Sequence, residues 1–386
     1  MMTLLLVGDA SSIFFVKYVE SLKKILDVHV TVYSPFPDKR WYKEYPYDEV
    51  LFDNFCNTKI GKFRFLWPFV FRYKFHKYLK ERGERFDIMH FHWLIESWTL
   101  NTSEYHHYAN KVGCTFWGGE LESQKLLFSH KLYLYKLGNL LNVSDFGIGS
   151  TAKSNTLVQS RYPEFVKKCR LGIYGSSIVD ALTTMSETRK DACTFFSIPE
   201  DKITVMLGYS GKIIHRHCEI IEILKSNKKF DIIKDKIHFV VNMTRGSWPE
   251  YTERVNEALK QTGCSYTFIK NQYMTDKDVA LLRKATMLLF QVTDFDEIST
   301  SIVEALSAGT LMIAGNWYPN YKVLREYGFK WLEVSSIENA VNVFYEVFDN
   351  MSRYNEILNN NQLVGIEYFS WAKCIRPWAN LYQEIM

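Results

Sequence analysis

The stretch from Met287 to Ala314 reads MLLFQVTDFDEISTSIVEALSAGTLMIA, and it contains an apolar run, a polar loop, a helical pattern and a second apolar run. The first run ends at Gln291 and the second begins at Leu311, and both have the length of buried strands. Gly309 is well placed to end the helix between them. A strand, a helix and a strand in this order predict a parallel α/β unit.

Similar apolar runs recur along the whole chain and alternate with amphipathic stretches. In the first half they are Leu4–Val7, Val28–Tyr33, Ile88–Phe91, Gly113–Phe116, Phe146–Gly149 and Cys169–Ile173. In the second half they are Ile203–Leu207, Ile237–Val241, Tyr266–Ile269, Met287–Gln291 and Leu311–Ala314. The polar segment Thr183–Asp201 separates the two series. The chain of 386 residues therefore predicts two doubly wound α/β domains that join near residue 195.

The composition excludes several classes of protein. Hydrophobic residues make up 47% and charged residues 23% of the chain, as in folded globular proteins. The formal net charge of +4 is far below that of a dedicated nucleic-acid-binding protein, so no nucleic acid is expected as a partner. The seven cysteines are scattered without a CxxC pair, which predicts no disulfide framework and a cytoplasmic location. The apolar start, Met1–Val7, is interpreted as a strand rather than a signal peptide.

The loop and the helix start after the first apolar run have the residue types of a phosphate site. Ligands of open α/β sheets bind beyond the carboxyl ends of the strands. The free N–H groups of a helix N-terminus and the small hydroxyl residues Ser299, Thr300 and Ser301 favour a pyrophosphate. Asp296 and Glu304 bracket this site, and carboxylates accept strong hydrogen bonds from sugar and ribose hydroxyls. Two structural alternatives stay open, which are a capping box from Ser301 to Glu304 and a solvated loop acid at Asp296.

The segment Asp296–Thr310 resembles the E-x7-E signature of retaining GT-B glycosyltransferases, a large family that includes sucrose synthase and bacterial mannosyltransferases. The resemblance implies two Rossmann-like domains that face each other across a cleft, with no metal or other cofactor required. It also implies that Glu304 holds the ribose of a nucleotide-sugar donor and that Asp296 contacts the transferred sugar. The backbone between them would hold the diphosphate. Asp296 stands where the family usually has Glu, which is one methylene longer.

Three further motifs narrow the resemblance. Residues 208–211, Gly-Tyr-Ser-Gly, are followed by His217 and resemble a G-x-S-G…H element. Residues 244–251 resemble a Y-G-x-x-x-E-Y element, and residues 117–121 resemble W-G-x-D-L. All three are similar to motifs of the transferases that add a 4-acetamido-4,6-dideoxygalactose unit to enterobacterial common antigen. The departures from those motifs are Arg245 for Tyr and Glu120 for Asp.

A diphosphate leaving group needs positive charge beside it, and two loops of the predicted second domain offer it. The loop after its first strand carries Lys212, and its second strand leads to Arg245. The family binds phosphate at these strand ends, so Lys212 and Arg245 are predicted to bind the donor, supported by Ser210 and His217. A solvated helix face is the alternative interpretation of the neighbouring Arg216.

Two histidines end the third predicted strand of the first domain. Because side chains alternate along a strand, His90 and His92 point to the same face. This pattern has three interpretations, which are a zinc pair, packing histidines of the core and a role for His92 in acceptor binding.

The loop after the next predicted strand supplies further residues for the acceptor. The ring of Trp117 can stack on a sugar, and Gly118 and Gly119 allow close approach of the backbone. Glu120 is predicted to bind or deprotonate an acceptor hydroxyl, and a helix cap is its alternative role.

The segment Lys59–Lys80 combines seven lysine and arginine residues with interleaved aromatic residues and contains no acid. Mixed basic and aromatic residues suit an anionic membrane surface, where each basic residue contributes about 1 kcal/mol. A lipid-linked acceptor would require such a contact. A helix with buried rings and solvated basic residues is an equal alternative, and nucleic acid is the least favoured one.

Residues 368–371, Tyr-Phe-Ser-Trp, begin a last helical stretch that resembles the family's closing helix, with an ordinary core helix as the alternative. We therefore assign residues 1–195 and 367–386 to an acceptor-binding domain and residues 196–366 to a domain that binds the nucleotide-sugar. The predicted function is retaining hexosyl transfer to an oligosaccharide or lipid-linked glycan in bacterial capsule, O-antigen or related polysaccharide synthesis. The protein would act in the cytoplasm, peripherally on the inner face of the cell membrane. A nucleotide-sugar epimerase and a non-catalytic membrane-associated binding protein are the rival functions.

Overall fold

The structure is a computed structural model, which describes residues 1–39, 44–53, 58, 66–92, 104–116, 137–149, 156–294, 296, 298–318 and 320–386. The chain forms two compact units. The first comprises Met1–Gly175 and Trp371–Met386, and the second comprises Ser176–Ser370.

The first unit contains a parallel sheet with the strand order β3-β2-β1-β4-β5-β6-β7. Its strands are β1 (Met2–Val7), β2 (Val28–Ser34), β3 (Glu49–Phe52), β4 (Phe86–His92), β5 (Ala109–Thr115), β6 (Phe146–Ile148) and β7 (Cys169–Arg170). Its helices include α1 (Ile13–Lys23), α2 (Trp67–Arg82), α3 (Tyr105–Tyr108), α4 (Thr156–Arg161), α5 (Pro163–Lys168) and the last helix of the chain, α16 (Trp371–Ile385). Helix α16 packs on α1, where the hydroxyls of Tyr18 and Tyr382 lie 2.6 Å apart.

The second unit contains a parallel sheet with the strand order β10-β9-β8-β11-β12-β13. Its strands are β8 (Ile203–Leu207), β9 (Ile237–Asn242), β10 (Ser265–Ile269), β11 (Leu288–Gln291), β12 (Leu311–Gly315) and β13 (Leu332–Val334). Its helices include α6 (Ser177–Thr184), α7 (Arg189–Phe195), α8 (His217–Ser226), α9 (Lys228–Ile233), α10 (Pro249–Lys260), α11 (Asp276–Ala285), α12 (Thr300–Ser307), α13 (Tyr321–Glu326), α14 (Ile337–Asp349) and α15 (Asn355–Phe369).

Both sheets confirm the predicted fold class, because each is parallel and doubly wound. The central strands are apolar runs since helices cover both faces of a parallel sheet. The sequence did not reveal β3 and β13, which are the outermost strands of their sheets. Strand β3 is largely exposed and β13 has only three residues, so neither carries the long apolar pattern of a buried strand.

The boundary between the two units lies at Gly175 and Ser370 rather than at the expected residues 195 and 366. The polar segment that we interpreted as a linker contains the start of α7, where Thr188 and Asp191 form a capping box. Helices α6 and α7 both pack on α11, so they belong to the second unit. The polarity of this segment therefore reflects a capped helix start instead of a connection between domains.

Candidate functional site

The candidate site lies at the carboxyl ends of β8 and β11. These two strands are neighbours, and the strands that follow them in the chain, β9 and β12, lie on opposite sides of the pair. This is the topological switch point of the sheet, where the loops of a doubly wound domain diverge and leave a crevice for a ligand.

The loops after β8 and β11 are joined to each other by hydrogen bonds. The Tyr209 hydroxyl donates to Asp296 Oδ1 at 2.8 Å, and the Asp294 N–H donates to the Ile214 carbonyl at 3.2 Å. Arg216 pairs with Asp294 as well, and both side chains are partly exposed, so the solvated position considered for Arg216 agrees with this contact. Arg216 also adopts a left-handed backbone conformation with φ of 54° at the start of α8. These links give the two loops one fixed arrangement.

Asp296 is a buried hydrogen-bond acceptor and not the solvated loop acid considered from the sequence. Besides Tyr209, it accepts from Gln291 Nε2 at 2.8 Å and from the Tyr321 hydroxyl at 2.6 Å, both on Oδ2. Burial, and then the charge of Asp296, raise the pKa of Tyr321 well above its ordinary value. The Tyr321 hydroxyl therefore keeps its proton and remains a donor to the carboxylate.

Helix α12 begins directly beside this carboxylate. Its N-cap is Ser299, whose side chain accepts from the Ser301 N–H at 3.3 Å, and Thr300 is the first helical residue. The capping-box position is consequently Ile302, so a capping box between Ser301 and Glu304 is wrong. The structure brings the predicted donor-binding residues Ser299, Thr300 and Ser301 together at one helix N-terminus.

Glu304 lies on the second turn of α12 and is almost fully buried. Ser176 Oγ donates to its Oε1 at 3.0 Å, and Arg283 Nη2 donates to its Oε2 at 3.2 Å. The exposed fractions of the Arg283 and Glu304 side chains are 3% and 9%, so the ion pair is shielded from solvent. Both oxygens of the Glu304 carboxylate are thus held by neighbouring side chains.

Lys212 and Arg245, the two predicted cations, lie on the loops after β8 and β9, and the backbones of these loops are hydrogen-bonded to each other. The Gly211 N–H donates to the Arg245 carbonyl at 2.9 Å. The stem of Lys212 packs on Gly246, where a Cβ would lie 2.4 Å from Lys212 Cγ and where φ is +76°. Lys212 and Arg245 are both exposed, so their charged ends are available to a ligand.

Ser210 and His217 are buried, in contrast to these two cations. Ser210 Oγ hydrogen-bonds to His215 Nε2 at 2.9 Å, and His217 Nδ1 hydrogen-bonds to the Tyr251 hydroxyl at 3.0 Å. Burial is the largest cause that lowers the pKa of His215 to about 3 and that of His217 to about 4. Both imidazoles are therefore neutral at physiological pH, and they support the loop rather than add charge to it.

The histidines at the end of β4 lie in the aromatic core of the first unit. His90 bonds through Nε2 to the Thr115 hydroxyl at 2.7 Å and through Nδ1 to Tyr382. His92 Nδ1 bonds to the Tyr174 hydroxyl at 2.7 Å, and its ring stacks on Trp378. Burial lowers the pKa of both imidazoles. This is the geometry of packing histidines, the second interpretation of the pattern.

The remaining predicted acceptor residues, Trp117, Gly118, Gly119 and Glu120, lie outside the described residues, as does the segment 59–65. From residue 67 onward, the basic and aromatic segment forms α2, with Phe71 and Phe75 in the core. Its other face exposes 58% of Phe69 and 71% of Tyr73. Within the described part of the chain, no helix is both long and apolar enough to cross a membrane.

Some residues of the site carried no local signal. In the sequence, Arg283 looks like a surface residue of an amphipathic helix. Its partner Glu304 is 21 positions away, so no local pattern indicates the pairing. Tyr321 is separated from Asp296 by the whole of α12 and β12. Tyr209 is the variable residue of the G-x-S-G element, and its place in that motif was the one indication that it belongs to the site.

No family model and no curated protein matches the chain. Solved structures match it over its full length. A glycosyltransferase from Rickettsia africae superposes with a TM-score of 0.73 at 15% identity, covering 100% of this chain and 98% of that one. Anabaena HepE in complex with UDP gives a TM-score of 0.70 at 12% identity and covers 100% of both chains.

A third similar structure is UDP-GlcNAc 2-epimerase from Neisseria meningitidis bound to UDP-GlcNAc. Its TM-score is 0.62 at 14% identity, and the match covers 100% of this chain and 99% of that one. At these identities the similarity concerns the fold. The chain has the GT-B fold, with two Rossmann-like α/β domains.

Proposed function

We propose that this chain is a glycosyltransferase that moves a sugar from a nucleotide diphosphate-sugar to a glycan acceptor. The arrangement at the β8–β11 switch point carries the proposal. Two buried carboxylates, Asp296 and Glu304, flank the N-terminus of α12, and Lys212 and Arg245 leave adjoining backbone at the same edge of the sheet. A nucleoside diphosphate-sugar matches these groups, because it offers an anion to the N–H groups and cations and hydroxyls to the carboxylates.

Each group of the site has a role in this proposal. Glu304 accepts hydrogen bonds from the ribose, and Asp296 orients the transferred sugar directly or through its tyrosine partners. The α12 N-terminus with Ser299, Thr300 and Ser301 binds the diphosphate, since free N–H groups and the helix dipole favour negative charge there.

The leaving diphosphate is stabilised by Lys212 and Arg245, while Ser210 and His217 hold the loop beneath them. Preorganised cations and N–H groups can stabilise developing charge without a metal or other cofactor, so the proposal includes none. Transfer of a hexosyl unit with retention of configuration is the stereochemical form that we propose.

The acceptor is proposed to be an oligosaccharide or a lipid-linked glycan of a bacterial surface polysaccharide such as capsule or O-antigen. Trp117, Gly118 and Gly119 would contact the acceptor sugar, and Glu120 would bind or deprotonate its hydroxyl. The buried His92 would serve the acceptor side only by fixing Tyr174, which is its hydrogen-bond partner.

Contact with an anionic membrane is proposed for the exposed face of α2, on the cytoplasmic side. Phe69 and Tyr73 are one helical turn apart and largely exposed, and Arg72, Lys77 and Lys80 are exposed beside them. Aromatic rings at the headgroup level together with basic residues give both apolar and electrostatic attraction. A lipid-linked acceptor would thereby be met at the membrane surface.

A thermal-shift screen of the purified chain against UDP, GDP, TDP, CMP and their common sugar conjugates tests the proposal. A ligand that binds the folded state alone raises the melting temperature by mass action. We expect one nucleotide class to raise it and its sugar conjugate to be consumed in the presence of a glycan acceptor. A chain that responds to none of these nucleotides would contradict the proposal and favour a non-catalytic binding protein.

A nucleotide-sugar epimerase is the second candidate function, because a UDP-GlcNAc 2-epimerase is among the similar structures. An epimerase needs no acceptor. Incubation with the nucleotide-sugar alone therefore separates the two functions, since only an epimerase converts the donor to its stereoisomer under that condition.

A further inference from the structure

The carboxylate of Glu304 is the meeting point of three helices. Arg283 extends from α11 to one carboxylate oxygen, and Ser176, the N-cap of α6, extends to the other. The Ser176 hydroxyl also accepts the Ile178 N–H at 3.1 Å, which fixes its orientation so that its proton is directed to Glu304. Both oxygens of the carboxylate are thus held by groups that have little freedom of their own.

A contribution to stability does not account for this ion pair. Taking two charges out of water costs free energy that their attraction recovers only when the remaining polar atoms are satisfied. Arg283 Nη1 contacts the Met206 Sδ atom at 3.4 Å, which is a weak acceptor. Arg283 Nε has no hydrogen-bond partner within the described part of the chain. Replacement of a buried ion pair by apolar side chains of similar volume is often neutral or stabilising, so stability alone gives no reason for this pair.

The Arg283–Glu304 pair provides a charged carboxylate in a fixed position, which two apolar side chains could not provide. Each oxygen of a carboxylate has two lone-pair sites, and among the described residues each oxygen of Glu304 accepts one hydrogen bond. The side chain keeps a 9% exposed fraction, whereas Arg283 behind it keeps 3%. Glu304 therefore keeps unused acceptor sites and a small exposed area, which a ribose hydroxyl would need.

We infer that Arg283 and Ser176 are positioning residues that fix the Glu304 carboxylate for the hydroxyls of a nucleotide ribose. This inference rests on the proposed function and adds two residues to it. Neither residue contacts the nucleotide. Both determine how well Glu304 distinguishes a ribose that has its 3′-hydroxyl from one that lacks it, because a misoriented carboxylate accepts that hydrogen bond poorly.

The test measures binding of UDP, GDP and TDP and of their 3′-deoxy analogues to the full-length chain by calorimetry. The variants are Arg283→Lys, which keeps the charge and loses the planar fork, Ser176→Ala and Glu304→Gln. Ser336→Ala is the matched control, because Ser336 is also an N-cap serine of the second unit and bonds to Asn339 N at 3.1 Å. It therefore loses a helix cap without affecting Glu304.

The wild type should bind the hydroxyl-bearing nucleotide about tenfold or more tightly than its 3′-deoxy analogue. A hydrogen bond to a charged acceptor contributes about that factor to affinity. Glu304→Gln should remove most of this preference. Arg283→Lys and Ser176→Ala should each reduce it by about threefold or more, with no further loss when combined with Glu304→Gln. Ser336→Ala should lower the melting temperature and leave the preference unchanged. Should Arg283→Lys not fold, Ser176→Ala and its control still decide the question.

Three results would overturn the inference, and they differ in what else they overturn. If no nucleoside diphosphate binds the wild type, the proposed function fails as well. If nucleotides bind but Glu304→Gln keeps the preference, the ribose role of Glu304 fails. If Glu304→Gln loses the preference while Arg283→Lys and Ser176→Ala retain it, only the positioning role is wrong.

Discussion

Tyr209 and Asp296 are 87 positions apart in the chain, and a hydrogen bond of 2.8 Å joins the hydroxyl of the first to the carboxylate of the second. The bond connects the loops that follow β8 and β11, which are the two strands at the switch point of the second sheet. Gln291 and Tyr321 also donate to Asp296, so this buried carboxylate accepts hydrogen bonds from three side chains. The candidate site is therefore organised around a carboxylate whose partners come from three parts of the sequence.

Asp296→Asn should destabilise the protein through this network. The neutral amide is a weaker acceptor, and its nitrogen presents a donor to hydroxyls that are already donors. We expect a loss of about 1–3 kcal/mol in the free energy of unfolding by urea titration, together with a large loss of transfer activity. Asp201→Asn is the control because Asp201 is exposed, and it should stay within about 0.5 kcal/mol of the wild type. Equal stability of the two variants would show that the network contributes little.

Glu304→Ala should leave Arg283 as a buried charge without its carboxylate. Such a loss costs about 3–5 kcal/mol of unfolding free energy, whereas removing both charges is far less costly. The double variant Glu304→Ala with Arg283→Met should therefore be more stable than Glu304→Ala alone, measured by urea unfolding. Additive losses from the two substitutions would contradict the coupling that the 3.2 Å ion pair implies.

Lys212→Ala and Arg245→Ala should weaken nucleotide binding without changing the fold. Both side chains are exposed, so their removal opens no cavity in the core. Loss of a cation from a diphosphate should raise the dissociation constant by about tenfold or more, and the difference from the wild type should shrink at high salt. Lys228→Ala, which removes an exposed lysine on α9, should bind as the wild type does. If either variant also has a clearly lower melting temperature than the wild type, its side chain has a structural role instead.

Stability should fall as the pH is lowered from about 6.5, the ordinary pKa of histidine in the unfolded chain. Burial lowers the pKa of His90 and His215 to about 3 and that of His217 to about 4 in the folded protein. Between these values only the unfolded state binds the protons, so each imidazole removes about 1.4 kcal/mol per pH unit. Above pH 6.5 the imidazoles are neutral in both states and have no such effect.

His217→Asn checks this pH dependence. It should reduce the slope of unfolding free energy against pH between 6 and 4.5 by about one proton, because asparagine does not titrate. Asn359→Gln, at an exposed residue of α15 that does not titrate, should leave the slope as it is. An unchanged slope in the His217 variant would mean that this imidazole is protonated in the folded state.

The sheets were predictable because parallel strands covered on both faces need continuous apolar runs, and such runs are visible along the sequence. The strand Ile203–Leu207 has the bounds that its apolar run predicted. The candidate site could be predicted for the same reason, since ligands of this architecture bind where strands end. The position of Asp296 followed from that rule, and its burial among tyrosines did not.

The remaining features depend on contacts between distant residues, which leave no local pattern. The pairing of Arg283 with Glu304 arises because α11 and α12 pack side by side, and an arginine on an amphipathic helix is usually solvated. The unit boundary was misplaced since the start of α7 is polar for reasons of capping. His92 was ambiguous because an H-x-H pattern looks the same in a core and in a binding site.

The exposed face of α2 should bind anionic vesicles, and both of its components should be needed. Phe69→Ser and Tyr73→Ser remove apolar insertion, whereas Arg72→Ala and Lys80→Ala remove charge worth about 1 kcal/mol each at such a surface. We expect cosedimentation with phosphatidylserine-containing vesicles at low salt to fall in both double variants, and the wild type to be released as salt is raised. Ile232→Ser removes an apolar side chain that is 75% exposed on α9 of the second unit, so it controls for loss of exposed apolar area. If the wild type does not sediment, or if Ile232→Ser reduces binding as much as the α2 variants do, this helix face is an ordinary solvated surface.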